Sequence, residues 1–347
     1  MKIDYHIHLE EGPYNLKWWQ QTAEAISYFQ KKRLTKKESI LHELNELHEL
    51  HNLNWIKDIH KLMSLRLEKG AYNNFWSDLY LERALELGIK EVGIVDHLYR
   101  FCEAREYFEK YIDFQHQKFG AMQRDWLDAV CVTSIGKFVK FIEQEKEKWE
   151  SYGVKLRLGI EADYFPQGEE ELVNILGNYP WDFVIGSVHF IDGWGFDNPE
   201  TSDYFQELDL EKLYDHFFQI VEMSIKSKIF DIIGHLDNLK VFGYRPAERF
   251  LIPYYEHIAK ILKETDTTTE LNTGLLYRYP VKEVCPAPHY LQILAKEQVL
   301  ITTSSDAHFP HDVGTGLDIA KEILINAGYD SIISWEKRRR RKNLLSR

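Results

Sequence analysis

The spacing of hydrophobic positions changes period along this chain, and each change marks the start of a new element. Ile3-Asp4-Tyr5-His6-Ile7-His8 alternates apolar and polar side chains, the period of a short half-buried strand. Residues 15 to about 70 follow a helical rhythm instead. Within them Leu41, Leu44, Leu47 and Leu50 recur three apart among Glu, His and Asn, predicting a helix with one apolar stripe. Asp78 to Gly88 reads as a helix closed by glycine, followed by the buried strand Glu91-Val92-Gly93-Ile94-Val95 and then Asp96-His97. The same succession returns at Lys155–Ile160 before Glu161, and at Phe183–His189, Phe230–His235 and Thr268–Asn272. It returns last at Leu300–Thr303, before Asp306 and His308. Between these strands the pattern predicts helices over much of 101–150, with Phe138–Trp149 amphipathic, and over Leu210–Ser227, Pro253–Lys263 and Pro288–Lys296.

Strands alternating with helices, most of the strands followed at the C-terminal end by His, Asp or Glu, predict a parallel α/β architecture. In that architecture the carboxyl ends of the strands gather on one face, and a closed barrel would bring them around one mouth. No Gly-, Pro- or Ser-rich linker interrupts the chain, so residues 1–347 read as a single domain, with residues 15–75 as a helical insertion after the first strand. Trp18, Trp19, Tyr28 and Phe29 in that insertion read as inter-helix core. His42, His48, His51 and His60 read as solvated helix positions.

Composition narrows the function. A formal net charge of −12 with 28% charged residues excludes the basic field of a general nucleic-acid or membrane-surface binder. No apolar run is long enough to span a bilayer, and the N-terminus is a polar strand rather than a signal peptide. Three scattered cysteines, Cys102, Cys131 and Cys285, argue against a disulfide scaffold and a cysteine–zinc site, and fit a cytoplasmic location. The run Lys337-Arg338-Arg339-Arg340-Arg341-Lys342 reads as a solvated terminus.

Residues two apart on a strand point the same way, so His6 and His8 can present two imidazoles to one metal ion. Glu10 would share that face if the strand continued. Arg245 and Arg278 each follow a site strand shortly, with Arg100 a further candidate, and arginine's planar fork suits phosphate. A surface ion pair is the alternative for each. Asp4 is expected to orient a ligand, and Asp237 and Asp192 to cap loops, with contact to the amino group of a cationic substrate as their alternative.

Taken together, Asp4-x-His6-x-His8, Val95-Asp96-His97, Gly159-x-Glu161, Ser187-x-His189, Gly234-His235 and Ser305-Asp306-x-His308 occur in the order of the PHP (polymerase and histidinol phosphatase) superfamily. Within it the chain is most similar to the histidinol-phosphate phosphatases. Asp-His-Leu-Tyr-Arg-Phe, Gly-Ser-Val-His-Phe and Gly-His-Leu-Asp before Phe-Gly-Tyr-Arg-Pro carry that similarity. The resemblance implies a distorted seven-stranded (β/α)7 barrel with two or three divalent ions (zinc, manganese or iron) at its C-terminal face. It implies that His6, His8, Glu161 and Asp306 hold one ion. Glu161, bridging, would hold a second with His189 and His235, and His97 with His308 a third. Many relatives place a further histidine after the first motif; this chain has Glu10-Glu11-Gly12-Pro13-Tyr14 there, with Glu10 the expected substitute.

The implied activity is hydrolysis of L-histidinol phosphate by a metal-bridging hydroxide, with Glu161, Asp306 and His308 as catalytic groups. The implied partner is a small phosphorylated substrate, without nucleic acid or membrane, and the insertion could serve as an oligomer contact. Another phosphoester, phosphodiester or nucleotide stays open as substrate, as does a non-catalytic regulatory module stabilised by its metals.

Overall fold

In a computed structural model, residues 1–35, 53–177 and 179–345 are described. Seven parallel strands form one sheet in the order β1-β2-β3-β4-β7-β8-β9. They are β1 (Ile3–Ile7), β2 (Glu91–Ile94), β3 (Lys155–Asp163), β4 (Phe183–Ser187), β7 (Ile232–Ile233), β8 (Thr268–Asn272) and β9 (Ile301–Ser304). The small hairpin of β5 (Phe190–Ile191) and β6 (Trp194–Gly195) follows β4 directly. The last strand curls back towards the first: His8 N–H donates to Ala307 O at 2.8 Å and Thr303 Oγ1 to Ile3 O at 2.9 Å. The result is an α/β sheet of seven strands nearly closed into a barrel, as the succession of apolar runs predicts.

Side-chain size fixes the interior. Phe183 fills the barrel beside Gly93 and Gly159, where an added Cβ would come within 2.5 Å of its ring. Glycine at those two points lets neighbouring strands close around an aromatic plug. Ile3, Tyr5, Val95, Ile185, Ile232 and Leu271 complete this apolar floor.

The chain's end departs from expectation. Ser331–Glu336 (β10) and Arg339–Leu344 (β11) pair as an antiparallel hairpin, with Lys337 and Arg338 both in the left-handed region at its tip. Ile332, Ile333 and Trp335 pack under the barrel floor, and Trp335 N–H donates to the Tyr5 hydroxyl at 2.6 Å. The basic run therefore forms the hairpin tip and the start of an exposed strand, and three of its arginines are paired locally. Arg338 meets Asp231 at 2.6 Å, Arg340 meets Asp266, and Arg341 meets Glu336. Counting charge along the sequence could not show Asp231 and Asp266 brought in from distant parts of the chain.

Before β2 lie the helices Leu16–Thr35, Leu53–Lys69 and Asn74–Glu86. Asn73 caps the third, accepting from Trp76 N–H at 3.1 Å, so it starts a turn earlier than the apolar pattern indicates. Trp18 and Phe29 are buried as inter-helix core, Trp19 is half exposed, and His60 is exposed. The leucine series at 41–50, with His42, His48 and His51, lies outside the described residues. Among the described residues no helix is long and apolar enough to cross a membrane.

Candidate metal centre

The parallel strands deliver their polar ends to one mouth. His6 and His8 leave β1, His97 follows β2, Glu161 and Asp163 close β3, His189 and His235 follow β4 and β7, and Asp306 and His308 follow β9. Glu161 stands at the middle. Its Oε2 lies 3.2 Å from His6 Nε2, 3.5 Å from His8 Nε2 and 2.7 Å from His97 Nδ1. Its Oε1 lies 3.1 Å from His235 Nε2 and 3.5 Å from His189 Nε2. Asp306 Oδ1 adds contacts to His8 Nε2 at 3.6 Å and His308 Nε2 at 3.0 Å. A carboxylate whose two oxygens face different groups of imidazoles has the arrangement of a bridge between two cations.

Carboxylates around the periphery orient the rings. His6 Nδ1 faces Glu270 at 3.1 Å, His189 Nδ1 faces Asp163 at 2.8 Å, and His308 Nδ1 faces Glu11. Each contact places the proton on Nδ1 and turns Nε2 inward as a lone-pair donor. Neighbouring charges set the ionisation. Burial disfavours charge on His8, and His97 and His308 beside it press its pKa further down, well below the usual imidazole value. Burial alone would raise Glu161, but His97, His6 and His189 outweigh it and hold the carboxylate well below its ordinary range. Burial opposes ionisation of Asp306 too, and Arg278 with His6 outweighs it.

The donors fit divalent metal ions. His6 Nε2, both ring nitrogens of His8, His97 Nδ1 and Glu161 Oε2 are buried without a hydrogen bond of acceptable geometry. Polar atoms so concentrated are costly unless something binds them, and mixed nitrogen and carboxylate donors suit zinc, manganese or iron.

Three further residues that the sequence pattern suggested have their contacts elsewhere. β1 ends at Ile7, so alternation does not carry Glu10 to the face of His6; its carboxylate meets Arg66 at 2.6 Å. Glu11 turns back to the cluster instead. Arg100 is buried against the Tyr14 hydroxyl at 3.1 Å. Arg245 is exposed and pairs with Glu283 at 3.1 Å. Arg278 does reach the cluster, donating to Asp306 Oδ1 at 2.9 Å and Asp306 O at 2.7 Å. Asp4 accepts from Ser305 N–H, Ser305 Oγ and Gly314 N–H at 2.8, 2.6 and 3.0 Å, which sets the loop bearing Asp306. Asp163, Glu270 and Glu11 escape a motif reading. Alternation could have found Asp163, two residues after Glu161 on the same face, and Glu270 is an acid within an otherwise uncharged strand.

With this geometry in place, comparison with known proteins decides the family. The PHP domain model matches residues 77–274. The chain belongs to the PHP family. A probable histidinol-phosphatase of Deinococcus radiodurans is 36% identical over 202 residues, covering 57% of this chain and 76% of the relative. The histidinol-phosphatase of Lactococcus lactis is 22% identical over 197 residues, covering 55% and 71%. Among solved structures, the histidinol phosphate phosphatase of L. lactis, in complex with zinc, L-histidinol and phosphate, superposes with a TM-score of 0.61 at 16% identity. It covers 76% of this PHP chain and 92% of its own. A putative histidinol phosphatase of Listeria monocytogenes gives 0.58 at 20% identity, covering 70% and 92%. At these identities the structural matches speak for the fold alone.

Proposed function

We propose that this phosphatase hydrolyses L-histidinol phosphate to L-histidinol and inorganic phosphate, a step of histidine biosynthesis. One observation carries the reading: Glu161 divides its two oxygens between two sets of inward-turned imidazoles, with Arg278 at their edge over Asp306. The relatives named as histidinol-phosphatases support the choice of ester. Two or three divalent ions fit the donors. His6, His8, Glu161 and Asp306 would hold one, Glu161 with His189 and His235 a second, and His97 with His308 a third. Such ions, when bound, lower the pKa of a shared water and set positive charge against phosphoryl oxygens.

The chain's own groups orient and neutralise. Glu270, Asp163 and Glu11 hold the protons of His6, His189 and His308 at Nδ1, so that each Nε2 presents its lone pair inward. Arg278 presents a fixed guanidinium fork to phosphoryl oxygens, where charge redistributes as the ester bond breaks. The test is a screen of the metal-replete enzyme on phosphomonoesters, a phosphodiester and nucleotides, with histidinol phosphate included. Histidinol phosphate is expected to give the highest kcat/KM. A higher value on a phosphodiester or nucleotide, or no turnover of any ester, would overturn the reading.

A further inference from the structure

The carboxylates near the mouth are nearly all engaged. Asp163 is held by His189 and Glu11 by His308, while Asp306 is held by both Arg278 and His308. The two acids that the sequence suggested for a cationic substrate are also spoken for. Asp237 is buried against Lys240 Nζ at 2.8 Å and accepts from Ala287 N–H at 2.9 Å. Asp192 is exposed and pairs with His216 at 2.9 Å. Asp197 is different. Among the described residues no hydrogen bond or ion pair engages its carboxylate, although the side chain is only partly exposed.

The fold fixes Asp197 at this point. The hairpin of β5 and β6 folds the chain back on itself, and Phe196 N–H donates to His189 O at 3.1 Å. On the other side Asn198 caps the following turn, accepting from Glu200 N–H at 2.9 Å. Between these anchors the Asp197 carboxylate lies within electrostatic reach of His189, His97 and His235. It is outside the groups whose ligand atoms converge closely enough to share an ion. Tyr279 packs beside Arg278, its ring centroid 5.3 Å from the guanidinium carbon, and lies within electrostatic range of Asp197.

We propose that Asp197 selects phosphate esters carrying a cationic amino group, its free carboxylate receiving the ammonium while Arg278 receives the phosphate and Tyr279 lines the space beside both. An ammonium would suit Asp197, which sits partly out of water with no cation among the described residues hydrogen-bonded to it, because it brings a positive charge and three donors. The assignment rests on the phosphomonoesterase reading above and deepens it.

The experiment compares matched pairs of esters in metal-replete wild type and Asp197→Asn. One pair is L-histidinol phosphate and its deaminated analogue; the other is 2-aminoethyl phosphate and ethyl phosphate. In wild type the amino-bearing member of at least one pair is expected to have the higher kcat/KM, by about 10-fold or more, and in Asp197→Asn that ratio should fall about 10–100-fold, mainly through KM. Asp197→Glu should restore part of the ratio. Equal losses on both members, with or without loss of bound metal, would make Asp197 a support for His189 and overturn the proposal. So would a wild-type ratio near one in both pairs, a result that decides the matter even where the variant does not fold. Preference for 2-aminoethyl phosphate with no turnover of histidinol phosphate would overturn the substrate named above while leaving Asp197 to be judged by its variant.

Discussion

At the scale of single residues, the site depends on where charge is placed rather than on how much is present. Glu161 lies between imidazoles on both sides, and a neutral amide cannot bridge cations as a carboxylate does. Glu161→Gln is therefore expected to abolish turnover and to lower bound metal, both read by assaying metal content beside phosphatase rate. Full metal with a near-normal rate would show that the carboxylate is not the bridge. Arg278 acts differently, because its fork approaches the cluster through Asp306. Arg278→Ala should lower kcat/KM by about 10–1,000-fold, as expected when a charge-assisted contact is lost, and inhibition by inorganic phosphate should weaken in parallel. Arg278→Lys keeps the charge but not the planar fork, so it should recover only part. Wild-type kinetics in both variants would leave phosphate recognition to the metals. Arg245, paired with Glu283 and 41% exposed, serves as the contrast: its alanine variant should change stability by less than about 0.5 kcal/mol.

At the scale of elements, the helix Leu53–Lys69 is tied to the site through one buried side chain. The Arg66 guanidinium stands 5.4 Å from the Trp18 ring and 4.8 Å from the Trp76 ring, and meets Glu10 at 2.6 Å. Glu10 Oε1 in turn accepts from Glu11 N–H at 3.1 Å, and Glu11 holds His308. Among the described residues, Arg66→Ala would leave Glu10 with the Glu11 N–H and with Arg100, 4.0 Å away, as its nearest cation, so a loss of up to about 3–5 kcal/mol is expected. Denaturant unfolding would measure it, and adding Glu10→Gln should return part of the loss by removing the stranded charge. An unchanged midpoint in Arg66→Ala would show that the helix is held without this pair. This link was not legible in the sequence, because Arg66 and Glu10 lie on elements whose docking no local pattern encodes. The seven strands were legible from their runs of strand-forming residues, and six of them carry a candidate metal-binding side chain at or just beyond their carboxyl ends. Glu10 misled because alternation was extended past Ile7, where the strand stops and the chain turns. The terminal hairpin was hidden for another reason: strand propensity is low in a run of Arg and Lys, and only packing under the barrel overrides it.

At the scale of the whole molecule, seven strands bring one set of like-natured donors into a single buried space. That concentration disfavours the fold when nothing binds there. His8, His97 and His308 cannot all be charged, the inward nitrogens of His6, His8 and His97 lack hydrogen-bond partners, and water has little access to satisfy them. Ions that bind the folded chain and not the unfolded one would remove this cost and stabilise by mass action. Stripping the metals should therefore do two things together: remove phosphatase activity and lower the thermal midpoint by several degrees. Zinc or manganese should restore both, whereas magnesium, which prefers an all-oxygen shell, should restore them poorly. The Glu161→Gln variant, assayed in the same way, should show a smaller thermal response to added metal than the wild type. Preserved turnover in a demonstrably metal-free sample would end the metal-dependent reading. A midpoint unmoved by metal while activity returns would show that the barrel is stable without ions, and that its cluster of unpartnered donors is tolerated by the surrounding core.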